Sequence, residues 1–173
     1  MKVLEEYKFR ADFEEIFVKD FCCDRFCKKF PRFKNLIGEM KNRIDINYKY
    51  FLVDLIIKNH KKGDKTCRDV RYHLDGDYKS DNQYCLWVNG ENRTIFSKEN
   101  IDFDNFPEER SDQNQFLENT LRGKECFEVP ENTFVVYSSK DPHKGTICKK
   151  SGRRVFVRLM GTNYIPPRNF IKK

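Results

Sequence analysis

The stretch Arg71-Tyr72-His73-Leu74-Asp75-Gly76-Asp77 closes a predicted strand with a histidine and an aspartate two residues apart. Side chains two residues apart on a strand point to the same face. His73 and Asp75 therefore present an imidazole and a carboxylate to one point. The chain has three histidines. His60 stands in a polar turn, where we expect it to be exposed and without a role, so His143 is the candidate for a third ligand.

Two imidazoles and one carboxylate form the facial triad that holds non-haem iron and leaves positions open for chemistry. His73, Asp75 and His143 are accordingly the candidate metal ligands and the candidate catalytic residues. A His-x-Asp pair alone is a weak signal, because 27 of the 173 residues are acidic. The interpretation therefore depends on the rest of the chain.

The composition predicts one folded, soluble domain. Of the 173 residues, 35% are charged and 38% hydrophobic, and the mean hydropathy is −0.82. Sixteen Phe and eight Tyr supply large apolar surfaces for a core. No apolar run approaches the roughly 18 residues of a membrane span, and the N-terminus lacks the apolar region of a secretory signal. The seven cysteines lack zinc spacing and are expected to be reduced thiols, so we expect a cytoplasmic protein that does not bind membranes.

The chain is moderately basic, with 34 Lys and Arg against 27 Asp and Glu, a formal net charge of +7 and a pI near 9.0. A positive surface favours anionic partners such as nucleic acid, nucleotides or a small dianion. We therefore expect a small-molecule or nucleotide substrate, with nucleic acid as a further partner through the basic surface. A well-solvated surface explains so mild an excess equally well. The oligomeric state cannot be inferred.

The first 45 residues are predicted to form a helical segment that packs on the core. The apolar side chains of this segment recur at steps of three and four residues: Phe9, Phe13, Ile16, Phe17 and Phe21. This period predicts a helix from about residue 9 to residue 30. Asp12 is the expected N-cap and Pro31 marks the end. A second helical turn is predicted over 36–40.

From residue 46 to residue 173 the pattern changes to short strands separated by turns. Many short strands after a helical start predict a mainly β protein of the α+β class, whose catalytic domain is a jelly roll, or double-stranded β-helix. Residues 97–124 form the most polar part of the chain. With a short helix around 113–121, they are predicted to be an insertion or a lid.

Five short motifs follow one another along these strands. They are Tyr72-His73-Leu74-Asp75, Gly90 to Phe96, Val129 to Phe134, Pro142-His143-Lys144-Gly145 and Ser151-Gly152-Arg153-Arg154. In this order they resemble the double-stranded β-helix of the Fe(II)/2-oxoglutarate-dependent oxygenases, which is a cupin-like fold. The resemblance covers residues 48 to 160. It implies a dioxygenase, an oxidoreductase that uses Fe(II) and 2-oxoglutarate, with His73, Asp75 and His143 as the iron ligands.

The same resemblance implies an arginine on the strand after the distal histidine. The distal carboxylate of 2-oxoglutarate needs a planar donor of two hydrogen bonds, and arginine is that donor. Arg154, eleven residues after His143, is the first choice. Arg158 shares its face of the strand, whereas Arg153 lies on the opposite face.

Three alternatives stay open. The metal also suits a cupin that uses no 2-oxoglutarate, and a non-catalytic descendant would keep the ligands without the activity. Residues 137 to 159, with seven Lys and Arg between Lys140 and Arg158, also resemble the hairpin of KOW-type SH3-like barrels, which bind nucleic acid or the transcription machinery. That alternative predicts a separate five-stranded barrel after residue 130 and does not account for His73-Leu74-Asp75.

Overall fold

The computed structural model describes residues 1–10, 13–67, 70–90 and 93–164. The strands are β1 (Lys2–Glu6), β2 (Ile16–Cys22), β3 (Tyr50–His60), β4 (Gln83–Asn89), β5 (Ile95–Ser97), β6 (Cys126–Glu128), β7 (Thr133–Ser138), β8 (His143–Lys144) and β9 (Gly152–Thr162). The helices are α1 (Cys23–Lys29), α2 (Lys34–Lys41) and α3 (Arg110–Leu121), and a short 3-10 helix (Pro31–Phe33) joins the first two.

Two antiparallel sheets form the predicted jelly roll. The larger sheet has six strands in the order β1-β7-β4-β9-β3-β2, and the smaller has three in the order β6-β5-β8. β3 and β9 pair along all eleven residues of each strand. Two isolated bridges, Lys65 with Ile147 and His73 with His143, attach the segment between β3 and β4 to the smaller sheet. The smaller sheet therefore carries the His-x-Asp stretch.

The two faces of β9 belong to different parts of the core. Val155 and Val157 pack in a cluster that includes Phe26 of α1 and side chains of α2. Phe156 and Met160 pack against the cluster between the two sheets. Side chains of β9 alternate between the faces, as the sequence predicts. Even-numbered residues from 154 to 160 thus face the interior of the jelly roll.

The SH3-like alternative is not the fold of the C-terminal part. β7 pairs with β1 and β4, and β9 pairs with β3 and β4, so both strands are central in the six-stranded sheet. Residues 133–162 consequently form no separate barrel. A strand that pairs on both sides with earlier parts of the chain cannot fold as an independent hairpin module.

The predicted helix from residue 9 to residue 30 is wrong over its first part. Residues Ile16–Cys22 form β2, and only Cys23–Lys29 are α-helical. Ile16 pairs with Ile57 of β3, and this pairing with an edge of the large sheet overrides the helical spacing. The predicted cap Asp12 lies outside the described residues. The second helical turn is confirmed, because Lys34–Lys41 form α2.

A β-bulge places Phe17 and Phe21 on opposite faces of β2, although residues four apart share one face of a regular strand. Val18 pairs with Leu55, but Phe21 pairs with Val53, so β2 contains one extra residue. The bulge returns Phe21 to the face that packs on the core with Phe13. Phe17, predicted to pack on the same core, points to the other face and is 72% exposed.

The polar segment 97–124 has a small core of its own. The predicted helix at 113–121 is longer and comprises Arg110–Leu121. Leu117 and Leu121 of this helix are buried against Tyr72 and Leu74, which flank His73 in sequence. The segment therefore packs directly on the His-x-Asp stretch. Its action as a lid stays a prediction.

All seven cysteines lie in the described part of the chain, and no disulfide joins any two of them. Burial raises the pKa of Cys23 and Cys85 to about 12, so both stay protonated thiols at neutral pH. Within the described ranges, every helix is too short and too polar to cross a membrane.

Candidate metal centre

The backbone holds His73 and His143 side by side. The His73 amide donates to the His143 carbonyl oxygen (2.9 Å), and the His143 amide donates to the His73 carbonyl oxygen (3.0 Å). Because the two residues oppose each other in an antiparallel bridge, their side chains leave the backbone on one face. The ring centroids lie 4.6 Å apart.

Asp75 returns to the same face two residues after His73. One ligand atom from each of His73, Asp75 and His143 lies within 4.8 Å of the others. His143 Nε2 and Asp75 Oδ2 are 3.2 Å apart, close to the separation of about 3 Å between neighbouring ligands on an octahedral first-row ion. Gly76 then turns the chain with a φ of +67°, and a Cβ there would approach the Tyr84 hydroxyl to 2.9 Å.

The second nitrogen of each imidazole faces a backbone carbonyl. His73 Nδ1 lies 3.0 Å from the Arg71 oxygen, and His143 Nδ1 lies 3.1 Å from the Asp141 oxygen. A carbonyl oxygen only accepts, so each neutral ring carries its proton on Nδ1. Each Nε2 then keeps its lone pair for a metal, which is the usual orientation of metal-binding histidines.

The carboxylate of Asp75 is fixed by two donors. The Tyr137 hydroxyl donates to Oδ2 (2.7 Å), and Nη1 of Arg158 forms a close ion pair with the same oxygen. Burial alone would raise the pKa of Asp75, but Arg158 and His143 hold this pKa well below its usual range. Burial and the charge of Asp75 raise the pKa of Tyr137 well above its usual value, so the hydroxyl keeps the proton that it donates.

Arg158 is held on its other side by Asp54, a residue that the sequence did not single out. Nε and Nη2 of Arg158 donate to Asp54 Oδ2 at 2.9 and 2.5 Å, and the Asp20 amide of the β2 bulge donates to Oδ1 (2.6 Å). Asp54 lies directly opposite Arg158 in the β3–β9 register. The sequence signal that could have identified Asp54 is its position as a single carboxylate in the apolar run of residues 51–57.

Arg154 has a different environment, although it lies on the same face of β9. It is 4% exposed, its Nη2 donates to the Thr94 hydroxyl (3.2 Å), and its Cζ lies 5.0 Å from the centroid of the Phe156 ring. Nε has no hydrogen-bond partner in the described part of the chain. Burial lowers the pKa of Arg154 to about 10. Among the residues that the structure describes, no carboxylate forms a salt bridge with this guanidinium.

One cavity of about 1540 Å³ contains both the histidine–aspartate cluster and the arginines. His73, Asp75 and His143 line it together with Arg154 and Arg158. Arg153, on the opposite face of β9, is not part of its wall. The five residues that the sequence marked as candidates thus share one space.

The expectation that His60 is exposed is wrong. The side chain is 4% exposed and lines the same cavity, and no described residue forms a hydrogen bond with its Nδ1. β3 continues to residue 60, so the turn begins later than predicted, and alternation places His60 on the face of Ile56 and Lys58. Burial, followed by the charges of Arg154 and Lys58, lowers the pKa of His60.

Helix α3 positions the His-x-Asp stretch from outside. The Arg110 guanidinium donates to the carbonyl oxygens of Leu74 (3.1 Å) and Gly76 (3.3 Å). The Glu118 carboxylate accepts from the Tyr72 amide (3.3 Å). These contacts fix the backbone on both sides of the Asp75 side chain.

Fold and site together define a jelly roll that brings two histidines and an aspartate to one point of its interior. Its structure is similar to that of EvdO2 from Micromonospora carbonacea var. aurantiaca, with a TM-score of 0.52, 12% identity, and coverage of 91% of this chain and 74% of EvdO2. At this identity the likeness shows the fold alone.

Two further solved structures are more distant. EvdO2 complexed with 2-oxoglutarate has a TM-score of 0.45 and 10% identity, over 99% of this chain and 83% of that one. A cupin protein from Bacteroides fragilis has a TM-score of 0.38 and 7% identity, over 98% of this chain and 92% of that one. No protein-family model and no curated protein matches the sequence.

Proposed function

We propose that this protein is an Fe(II)- and 2-oxoglutarate-dependent oxygenase. The observation that carries the proposal is Arg154, a buried guanidinium without a carboxylate partner among the described residues, in the cavity that also holds His73, Asp75 and His143. A buried charge is costly unless it is paired. An anionic ligand is the partner that this site lacks.

The charges of the cavity interior favour a divalent metal together with a dianion. The carboxylates of Asp54 and Asp75 balance the guanidinium groups of Arg154 and Arg158, provided that the histidines are neutral. A divalent iron adds two positive charges, and 2-oxoglutarate adds two negative charges. The sum of these charges is therefore zero with neither or with both cofactors bound and differs from zero when only one binds, which favours joint binding of the metal and the dianion in a buried site.

The donor set fits iron. Two neutral imidazoles and one carboxylate form a facial triad that leaves positions open for exogenous ligands. When bound, the iron would supply the dioxygen chemistry that protein side chains do not perform. His73, Asp75 and His143 would hold it, while Tyr137 and Arg158 keep Asp75 ionised and oriented.

Arg154 and Thr94 would bind the distal carboxylate of the cosubstrate. The guanidinium supplies the charge and the fork of donors, and the Thr94 hydroxyl lies beside it as a second donor. EvdO2, which shares this fold, was crystallised with 2-oxoglutarate. Arg158, the second candidate for this role, already pairs with Asp54 and Asp75, so we assign it to the support of the metal ligand.

The test is a comparison of cosubstrate binding and turnover in Arg154→Met and Arg153→Met. Anaerobic titration with Fe(II) and 2-oxoglutarate, followed by a succinate assay in air, measures both. We expect wild type and Arg153→Met to bind the cosubstrate and form succinate, and Arg154→Met to bind iron but to lose 2-oxoglutarate. Iron binding without any 2-oxoglutarate binding by wild type would instead indicate a cupin that uses no such cosubstrate.

A further inference from the structure

The outer wall of the cavity exposes an aromatic ring. Phe17 of β2 lies opposite Ile56 of β3, and both side chains line the cavity. Phe17 is 72% exposed, whereas Ile56 is half-buried. An exposed Phe on a cavity wall, beside a second apolar side chain, offers a flat apolar surface to a ligand.

This apolar pair lies beside the support of the metal centre. Ile56 is two residues from Asp54 on the same face of β3, a distance of about 7 Å along the strand. Asp54 is joined through Arg158 to Asp75. A molecule on Phe17 and Ile56 would therefore reach towards the histidine–aspartate cluster.

Two lysines flank the apolar pair. Lys19 follows Phe17 on β2 and Lys58 follows Ile56 on β3, and because the strands are antiparallel, the two lysines lie at opposite ends of the pair. Both are exposed and line the cavity. Glu15 accepts a hydrogen bond from the amide of Asn59, the residue that follows Lys58 (2.8 Å).

The side chains that line the whole cavity carry a net positive charge. Seven Lys and Arg side chains and three Asp side chains line it. A divalent metal and a dicarboxylate would cancel each other, so an excess of four positive charges would remain. A cleft lined by one sign of charge raises the local concentration of ligands of the opposite sign.

We propose that the primary substrate is a small organic anion that carries an aromatic ring. The ring would pack on Phe17 and Ile56, and the anionic group would bind to Lys19 or Lys58. The claim that this anion is the molecule that the protein oxidises rests on the proposed function. The claim that such an anion binds to the cavity does not, and a binding experiment tests it separately.

Three probes distinguish the contribution of the aromatic ring to binding from that of the anionic group: 1-naphthyl phosphate, 1-naphthol and inorganic phosphate. We expect the full chain, with and without Fe(II) and 2-oxoglutarate under anaerobic conditions, to bind 1-naphthyl phosphate at least tenfold more tightly than either other probe. Phe17→Ser should weaken this binding about tenfold, and Lys58→Glu should weaken it and reduce its salt dependence. Because Phe17 is exposed, Phe17→Ser should keep the melting temperature of wild type.

Matched controls lie away from the cavity. Ile46 is 73% exposed, so Ile46→Ser removes an equally exposed apolar side chain, and Lys34→Glu reverses a charge on α2. Both variants should bind the probe like wild type. Equal binding of 1-naphthol and 1-naphthyl phosphate, or unchanged binding in Phe17→Ser, would overturn the inference. If wild type did not bind iron or 2-oxoglutarate, that result would contradict the proposed function but not the binding of an aromatic anion to the cavity.

Discussion

Arg154 and Arg158 project from the same face of β9 into one cavity, but among the residues that the structure describes only Arg158 forms salt bridges with carboxylates. Four residues separate them, and both are largely buried. Arg158 joins the carboxylates of Asp54 and Asp75, whereas Arg154 donates to the neutral hydroxyl of Thr94. The difference separates a structural cation from one that is available to a ligand.

Replacement of Arg154 and replacement of Arg158 should therefore have different effects on the free energy of unfolding. Arg158→Met leaves two buried carboxylates without their cation and should lower the free energy of unfolding by about 3–5 kcal/mol. Arg154→Met removes a buried charge that has no counter-ion among the described residues, so the ligand-free protein should be as stable as wild type or more stable. Urea unfolding of the three proteins measures both effects. A larger loss in Arg154→Met than in Arg158→Met would contradict this assignment.

His60 should make the stability depend on pH. Its pKa in the folded protein is lowered by burial and by the charges of Arg154 and Lys58. As the pH falls below about 6.5, the unfolded chain binds a proton that the folded chain does not, so the free energy of unfolding decreases. His60→Gln removes this contribution and should show a flatter decrease between pH 7.5 and pH 5.5.

Urea titrations of wild type and His60→Gln at these two pH values check the prediction. His73 and His143 are present in both proteins, so the difference between the two curves isolates His60. Parallel curves would mean that His60 binds protons equally in the folded and unfolded states.

The Tyr137 hydroxyl should tune the affinity for metal without contacting it. Tyr137→Phe deletes the 2.7 Å hydrogen bond to Asp75 Oδ2 and should weaken iron binding about 10–100-fold, as for other groups that orient a ligand. Tyr84→Phe is the matched control, because that hydroxyl donates to the backbone oxygen of Asp75 (3.2 Å). Anaerobic metal titration should show the larger loss in Tyr137→Phe, and equal losses would show that no specific orientation of the carboxylate is involved.

Periodicity and spacing predicted the parts of the fold that depend on alternation. The jelly roll is confirmed, and the faces of β9 follow the parity of the sequence, with Val155 outside and Phe156 inside. The spacing of two also placed His73 and Asp75 on one face, and the structure brings His143 to them. That the three residues bind a metal stays a prediction.

Features that depend on distant pairing could not be predicted from local pattern. The apolar spacing of residues 9–21 predicted a helix, whereas residues Ile16–Cys22 form β2 because they pair with β3, which is far along the chain. Asp54 becomes part of the site only through Arg158, which lies opposite it on β9. His60 is buried because β3 extends to it and pairs it with Gly152 of β9.

The most direct test of the account is the iron content of three single variants. Under anaerobic equilibrium dialysis, wild type should bind one Fe(II) per chain, and His73→Ala, Asp75→Ala and His143→Ala should each lose most of it, because a facial triad needs all three ligands. Asp77→Ala is the matched control: an exposed carboxylate two residues from Asp75 that should not change binding. If all three variants bound iron like wild type, the central claim of a His73–Asp75–His143 iron centre would be contradicted.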